Sequence, residues 1–152
     1  MRLTAYTDYS LRVLIYLGLQ KDRLVTISEI SNSYEISENH LMKITHNLGK
    51  LGYITTMRGR GGGMRLAGKP EEINLGQFAR QVEMDFALAD CFDPKRRHNC
   101  VIAPECRLQL ILHEAVRAFL GVLDNCTVAD LLRNPTRLKS LLNIEMVESK
   151  SS

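Results

Sequence analysis

The sequence predicts a mainly α-helical fold with a small β-hairpin wing, arranged as a winged helix-turn-helix domain followed by a long dimerisation helix. Three observations lead to this prediction. Two short amphipathic helix patterns are joined by a tight turn, a glycine-rich segment separates two short strand patterns, and a long later helix has a wide apolar stripe. The length of 152 residues and the hydrophobic fraction of 45% are ordinary for a globular protein of about one domain.

The first two helices are predicted from their capping residues. Thr7 or Asp8 is expected to cap the first helix, because short polar side chains at an N-cap accept hydrogen bonds from free backbone amides. Thr26 and Glu29 have the spacing of a capping box, which predicts the start of a second helix. The segment 34–36 is the tight turn that leads to a third helix.

The third helix is predicted over residues 38–50, with Ser37 as its N-cap and Gly52 as its C-terminal stop. Two strand patterns follow at 53–57 and 64–67. The segment between these strands is rich in glycine, which makes tight turns at little steric cost. A helix-turn-helix followed by such a hairpin is typical of a winged DNA-binding domain.

The sequence divides into a winged domain at 1–73, a region with the cysteine loop and dimerisation helices at 74–144, and a flexible tail at 145–152. Asn74 is expected to cap a helix, and Pro104 is expected in the first turn of the long helix. The apolar stripe of the long helix is wider than one small domain can cover, which predicts a partner helix from a second subunit. It contains Leu108, Ile111, Leu112, Ala115, Val116, Phe119, Leu120 and Leu123.

The charge distribution favours a polyanionic partner for the N-terminal part. The whole chain has a net charge of +3, but residues 1–65 contain nine Lys/Arg against five Asp/Glu. Such a basic region is typical of nucleic-acid binding. No signal peptide or membrane span is recognisable in the sequence, so we expect a cytoplasmic protein without a membrane partner.

A candidate surface for double-stranded DNA combines the third helix, the wing and the first helix. Lysine, amide and methionine side chains can contact base edges and phosphates. The polar face of the 38–50 helix presents Asn39, His40, Met42, Lys43, His46 and Asn47. Arg58 and Arg60 on the glycine-rich tip can enter a minor groove or bind phosphate, and Tyr9 and Arg12 of the first helix complete the candidate set.

Two alternatives to DNA binding fit parts of this surface. The helix face alone is more typical of an ordinary solvated surface, and only the adjoining hairpin favours DNA. A glycine-rich loop can also bind a nucleotide, but no Walker lysine-serine pair follows this one.

Three cysteines lie in one short loop at residues 86–106, which we call the cysteine loop. Cys91, Cys100 and Cys106 have the spacing C-x8-C-x5-C. Clustered thiolates in a cytosolic protein indicate a metal or redox site more often than a disulfide. Zinc and an iron–sulfur cluster both remain possible, although structural zinc sites normally use C-x2-C pairs.

Other residues near the cysteines are weaker ligand candidates. Cys126 lies twenty residues after Cys106, about 30 Å away along a helix at ~1.5 Å per residue, and is expected to be a small buried residue. His98 is expected to be a solvated loop residue, and His113 to be on a helix surface or interface. A catalytic Cys–His pair has no orienting third group at a recognisable spacing, so we do not predict an enzyme.

The chain resembles the iron–sulfur winged-helix transcription regulators that include NsrR and IscR. The segments that carry the resemblance are residues 7–12, the wing 58–63 and the cysteine loop, and the likeness extends from residue 1 to about 144. It implies a cytoplasmic bacterial homodimer that holds a cluster near its dimerisation helices and binds palindromic operators.

Within that family the chain looks most like the nitric-oxide-sensing NsrR type. The segment 123–131 resembles that type, and Gln109 stands where the IscR type has a histidine ligand. The resemblance implies a [4Fe-4S] cluster, with [2Fe-2S] as the alternative, bound by the three cysteines and by Asp8 of the partner subunit. It also implies a repressor that releases its operator when nitric oxide attacks the cluster. A regulator of cluster supply, oxygen or peroxide is the first alternative, and an electron-transfer or enzymatic iron–sulfur protein is the second.

Overall fold

The structure is a computed structural model that describes residues 2–96 and 100–144. His98 and the tail 145–152, for which a solvated loop position and flexibility are predicted, lie outside the described residues. The described helices are α1 (Ala5–Leu19), α2 (Ile27–Tyr34), α3 (Glu38–Lys50), α4 (Leu75–Val82), α5 (Arg107–Asp124), α6 (Val128–Leu131) and α7 (Pro135–Leu141). The strands are β1 (Ile54–Met57) and β2 (Gly63–Leu66).

Helices α1 to α3 and the β1–β2 hairpin form the winged helix-turn-helix, which confirms the predicted fold class. Helix α3 has the predicted bounds, and the turn before it places Glu35 in the left-handed conformation at φ 55°. The strands pair antiparallel from Ile54 opposite Leu66 to Met57 opposite Gly63. Val25 exchanges two backbone hydrogen bonds with Met64, of 2.9 and 2.8 Å, and so attaches the wing to the segment before α2.

Most predicted N-caps are confirmed, but the prediction of Thr7 or Asp8 as the N-cap of α1 is wrong. The N-cap is Thr4, whose hydroxyl accepts a hydrogen bond from the Thr7 amide at 3.3 Å. Thr4 has an extended backbone, as an N-cap requires, whereas Thr7 and Asp8 already lie in the first turn of the helix. Asp8 is therefore free of any capping role.

The predicted place of Pro104 is also wrong. Pro104 lies in a separate short 3-10 turn, Ala103–Glu105, and α5 begins only at Arg107. Cys106 between the two has an extended backbone with φ −78° and ψ 103°, and this interrupts the helical path. The last cysteine consequently lies immediately before the long helix.

One hydrophobic core connects the winged helix-turn-helix with α4 and the C-terminal segment. Phe78 of α4 is fully buried and its ring packs edge-on against Tyr53, with centroids 5.1 Å apart. Val128, Leu142 and Ile144 belong to the same buried cluster as the residues of α1 to α3. A domain boundary after residue 73 stays a prediction.

Helix α5 differs from the other long helices because none of its residues is buried. Leu110 is 69% exposed and Val122 is 66% exposed. Leu108, Ile111 and Ala115 of the predicted apolar stripe are also exposed, whereas its other five residues are partly buried. Within the described ranges, no helix has the length and apolar character needed to cross a membrane.

Candidate nucleic-acid interface and metal centre

The outer face of α3 is open to solvent along its length. Leu41, Ile44, Thr45 and Leu48 are buried, so the opposite side of the helix faces outward. Every residue of the predicted DNA-contact set on this helix is exposed, except Asn47, which is partly buried. Helix α3 therefore has the form of a recognition helix, with a core face and a polar face that can enter a groove.

Helix α1 extends this surface at the N-terminal end of α3. The rings of Tyr9 and His40 lie side by side with centroids 6.4 Å apart. The Arg12 guanidinium lies 5.6 Å from the centroid of Tyr9 and 5.7 Å from that of Tyr34, within reach of cation–π attraction. Burial raises the pKa of Tyr34 to about 12, so this phenol is neutral at physiological pH. Two predicted DNA residues, Tyr9 and Arg12, thus lie beside a third, His40.

The wing carries the other two predicted cations. Arg58 and Arg60 are both exposed at the tip of the hairpin. Gly59 and Gly61 have positive φ values of 98° and 73°, a region that side chains rarely adopt. The glycines are therefore needed to close a turn that points two arginines away from the core.

All three cysteines of the loop line one cavity. Cys91, Cys100 and Cys106 are free thiols, and they surround a space of about 530 Å³ at the N-terminal end of α5. The other lining residues are Ala89, Asp90, Arg96, Ile102, Ala103, Leu108, Gln109 and Leu112. The fold thus brings the predicted ligand set to one place.

Two contacts hold residues 91–92 of the cysteine loop against α5. The ring of Phe92 stacks on His113 of α5, with centroids 4.1 Å apart. The side-chain amide of Gln109 donates a hydrogen bond of 3.5 Å to the Cys91 carbonyl. His113 accordingly packs on the loop and is not among the residues that line the cavity.

Three clustered thiols are a donor set that an iron–sulfur cluster can use. Among residues 2–96 and 100–144, no three His, Cys, Asp or Glu side chains come close enough to hold one metal ion. A zinc site would need its ligands within about 2.3 Å of one centre. A cluster is larger than an ion and takes thiolate ligands, so three thiols around a cavity of about 530 Å³ suit it.

Two candidate ligands lie outside the cavity. Cys126 is partly buried against the hydrophobic core, and its carbonyl accepts a hydrogen bond from the Leu75 amide at 2.9 Å. The Asp8 carboxylate is bound to Arg12 of its own chain, with Nη2 and Oδ2 2.8 Å apart, and its side chain remains 47% exposed.

Sequence reasoning did not place three polar residues, Asp90, Arg96 and Gln109, in the cavity wall. Gln109 lies one helical turn after Cys106, so its position on the same face as the cysteine is recognisable from the i, i+3 spacing. Arg96 reaches the cavity from the loop, where it pairs with Asp90 at 3.2 Å. No sequence signal separates Arg96 from the neighbouring basic residues.

Comparisons with known proteins agree with this geometry. The chain is 49% identical over 146 residues to "HTH-type transcriptional regulator NsrR" from Bacillus subtilis (strain 168), covering 95% of this chain and 99% of the relative. It is 49% identical over 149 residues to the protein of the same name from Shouchella clausii, covering 97% and 99%. The solved structure "T. potens IscR" shares the fold with a TM-score of 0.68 at 20% identity, over 91% of each chain.

The family comparison covers most of the molecule. Residues 3–134 match Rrf2, described as "Iron-dependent Transcriptional regulator". These matches are to DNA-binding regulators and not to enzymes, which removes the enzymatic alternative. The chain belongs to the Rrf2 family of helix-turn-helix transcription regulators.

Proposed function

We propose that the protein is a homodimeric repressor that responds to nitric oxide and binds palindromic operator DNA. An iron–sulfur cluster would control how its two winged helix-turn-helix domains are arranged on that DNA. The observation that carries this proposal is the shared cavity of Cys91, Cys100 and Cys106 at the start of α5. The nitric-oxide specificity rests on the resemblance to the NsrR type, and relatives of that name align over 99% of their own length.

Three thiolates of one chain would hold the cluster, which we propose to be [4Fe-4S], with [2Fe-2S] as the alternative. Cys91 approaches from the turn at 90–92, Cys100 from the middle of the loop and Cys106 from the first residue before α5. When bound, the cluster supplies iron that reacts with nitric oxide. Release of any of these thiolates would free the loop from the N-terminal end of α5.

The fourth ligand in this proposal is Asp8 of the partner subunit. Asp8 is suitable because its carboxylate is half-exposed and has no capping role in α1. Its ion pair with Arg12 is partly exposed, and such pairs contribute only about 0–1 kcal/mol. Breaking that pair to reach iron would therefore cost little. A carboxylate also binds iron less firmly than a thiolate does, which leaves this iron open to attack.

The exposed face of α5 supports the homodimer. Its apolar side chains repeat every three or four residues, as in a helix that packs against another helix. They are Leu108, Ile111, Ala115, Ala118 and Val122, and each is exposed in the single chain. In a dimer paired along this face, each subunit would contribute one α3 helix, and half-sites one DNA turn apart would suit such a two-fold arrangement.

Anaerobic purification with an absorbance spectrum and iron and sulfide assays tests the cofactor. The protein should be brown, and alanine substitution of Cys91, Cys100 or Cys106 should bleach it. Cys126→Ala is the matched control and should keep the colour, because Cys126 packs on the core away from the cavity. A colourless protein with one zinc per chain would contradict the proposal.

A second assay separates nitric oxide from the alternative signals. Loaded protein bound to operator DNA is exposed to nitric oxide, oxygen or hydrogen peroxide at equal, low stoichiometry. Release of the operator DNA at a lower dose of nitric oxide than of oxygen or hydrogen peroxide supports the proposal. Release by oxygen or peroxide at lower doses would favour the alternative redox regulator.

A further inference from the structure

The C-terminal end of α5 meets the start of α4 in a contact centred on Asp124. A Cβ atom added at Gly76 would lie 2.8 Å from the Asp124 backbone nitrogen and closer still to its carboxylate. Non-bonded atoms do not approach a Cβ atom so closely, so only glycine permits this contact. The two helices are thus in contact through backbone as well as side chains.

Two side chains from the same region bind Asp124. The guanidinium of Arg80, one turn after Gly76, forms a two-pronged ion pair with the Asp124 carboxylate, including an Nη2–Oδ2 bond of 2.9 Å. The Asn74 amide donates a hydrogen bond of 2.7 Å to the Asp124 carbonyl. The Arg80 hydrogen bonds hold the pKa of Asp124 below its usual value, so the pair is charged at neutral pH. Bidentate arginine–carboxylate pairs fix geometry as well as charge.

Helix α4 is in turn packed onto the DNA-reading head, by which we mean residues 4–66 with α1 to α3 and the hairpin. Phe78 is fully buried against Tyr53, and the Tyr53 hydroxyl donates a hydrogen bond of 2.6 Å to Gln81. At the C-terminal end of α4, Glu83 accepts hydrogen bonds of 2.6 and 3.0 Å from the amide and hydroxyl of Thr4. A shift of α4 would therefore shift the head with it.

The other end of α5 carries the cysteine cavity. Leu108, Gln109 and Leu112 line it, and Cys106 directly precedes the helix. The 18 residues of α5 span about 27 Å at ~1.5 Å per residue. Among the described elements, α4 is the principal neighbour of α5. The Asp124 contact thus connects α5, which carries the cysteine cavity at its other end, to α4 and through α4 to the head. It combines an ion pair with a close backbone approach.

We propose that Asp124, Arg80 and Gly76 form the joint through which the position of α5 is transmitted to the DNA-reading head. This inference rests on the proposed function, because it assigns a route to the cluster-dependent change. In it, Asp124 and Arg80 are positioning residues that contact neither the cluster nor DNA. With the joint intact, a movement of α5 at its cysteine end reorients α4 and α3. Without the joint, a movement of α5 no longer reaches the head through α4.

The test compares operator affinity of the cluster-loaded and cluster-free protein in the parent and in Arg80→Gln. Coupling between two sites typically changes affinity by about 5- to 150-fold, and we expect Arg80→Gln to lower the ratio of the two operator affinities by at least about threefold. Absorbance of the loaded protein and dimer mass should stay at parental values. The matched control is Arg133→Gln, which removes another exposed Arg–Asp pair, with Asp130 at 2.6 Å, without touching α4 or α5.

Further variants keep the test decisive if Arg80→Gln folds poorly. Arg80→Lys keeps the charge but loses the two-pronged geometry, so its ratio should lie between those of the parent and Arg80→Gln. The exchanged pair Arg80→Asp with Asp124→Arg should restore part of the ratio that each single change removes.

The possible outcomes separate the two proposals. If the parent responds to the cluster and Arg80→Gln and Arg80→Lys respond equally well, the joint is wrong and the proposed function stands. If the parent itself has equal affinity with and without the cluster, both the proposed function and the joint are overturned. Loss of the response in Arg133→Gln as well would also overturn the joint, because the effect would not be specific to α4 and α5.

Discussion

The DNA-reading head and the helix α5 with its cysteine loop are built in opposite ways. The head has a filled core between α1, α2 and α3, with Val13, Leu14, Leu41 and Leu48 all at 0% exposure. Helix α5 is longer than any helix of the head, yet none of its 18 residues is buried. The core of the head is therefore complete within one chain. In contrast, the cysteine loop presents a cavity that suits a cofactor, and α5 presents an apolar face that suits a second copy of the chain.

The largest expected effect contrasts the same substitution in the two regions. Leu41→Ala in α3 should lower the free energy of unfolding by about 2–5 kcal/mol, because it opens a cavity in a filled core. Leu110→Ala in α5 should change it by less than about 0.5 kcal/mol, because this side chain is 69% exposed. Urea unfolding of the cluster-free protein measures both. Equal losses would mean that α5 is covered as completely as the head, and the contrast would fail.

The next prediction concerns the exposed face of α5. Ile111→Glu should weaken dimerisation, because burial of an isoleucine at an interface contributes about 1.5–3 kcal/mol and a buried carboxylate opposes it. Sedimentation velocity over a concentration series measures the change, and Thr136→Glu on exposed α7 is the charge-matched control. A dimer that is unaffected by Ile111→Glu would place the subunit contact on another face.

A prediction of similar or smaller size concerns the DNA surface. Lys43→Ala and Arg58→Ala should each weaken operator binding by about 1–3 kcal/mol, because each removes a base or phosphate contact. Cluster absorbance should not change, since both residues lie in the head, away from the cavity. Arg137→Ala is the control, because it removes the same charge from α7, which is not part of the candidate DNA surface. If the Lys43–Arg58 double variant binds like the parent, the DNA surface lies on another part of the head.

Asp8→Asn should have little effect on folding and a clear effect on the cluster. Thr4 rather than Asp8 caps α1, and the lost ion pair with Arg12 is worth about 0–1 kcal/mol. Asp8 of the partner subunit is the proposed ligand, however, and the neutral amide of asparagine would bind iron poorly. The absorbance spectrum and the rate of reaction with nitric oxide should shift while the melting temperature stays near that of the parent. Identical spectra and rates would exclude Asp8 as a ligand.

The smallest expected effect is a pH dependence at the α4–α5 contact. The Arg80 guanidinium lowers the pKa of Asp124 in the folded chain, so the pair stabilises the fold above the ordinary carboxyl pKa of about 3.9. This contribution is lost as the pH falls through the lowered folded-state value. Asp124→Asn should therefore show a flatter dependence of unfolding free energy on pH in the acid range. A curve parallel to that of the parent would mean that the pair does not stabilise the fold.

Local sequence signals were sufficient for the head. The capping box at Thr26 and Glu29 and the cap at Ser37 act within one helical turn, and both were predictable from spacing alone. The cap of α1 was not, because Thr4, Thr7 and Asp8 are all good capping residues. The choice of Thr4 depends on Glu83, seventy-nine positions away, which accepts hydrogen bonds from its amide and hydroxyl.

The candidate metal site was predictable in its ligands but not in its walls. Clustering of Cys91, Cys100 and Cys106 is visible in the sequence, whereas the cavity depends on how the loop folds back onto α5. The stack of Phe92 on His113 that fixes this folding joins residues 21 positions apart without a shared pattern. The contact of Gly76 with Asp124 is long-range in the same way, and a glycine in a helix gives no sign of its partner.

The central claim is that the cysteine region controls the head, and one titration tests it most directly. Anaerobically loaded protein is bound to operator DNA, and nitric oxide is added stepwise while cluster absorbance and bound DNA are followed in the same sample. We expect both signals to fall together, with Cys126→Ala behaving like the parent. Loss of the cluster absorbance with undiminished DNA binding would contradict the claim.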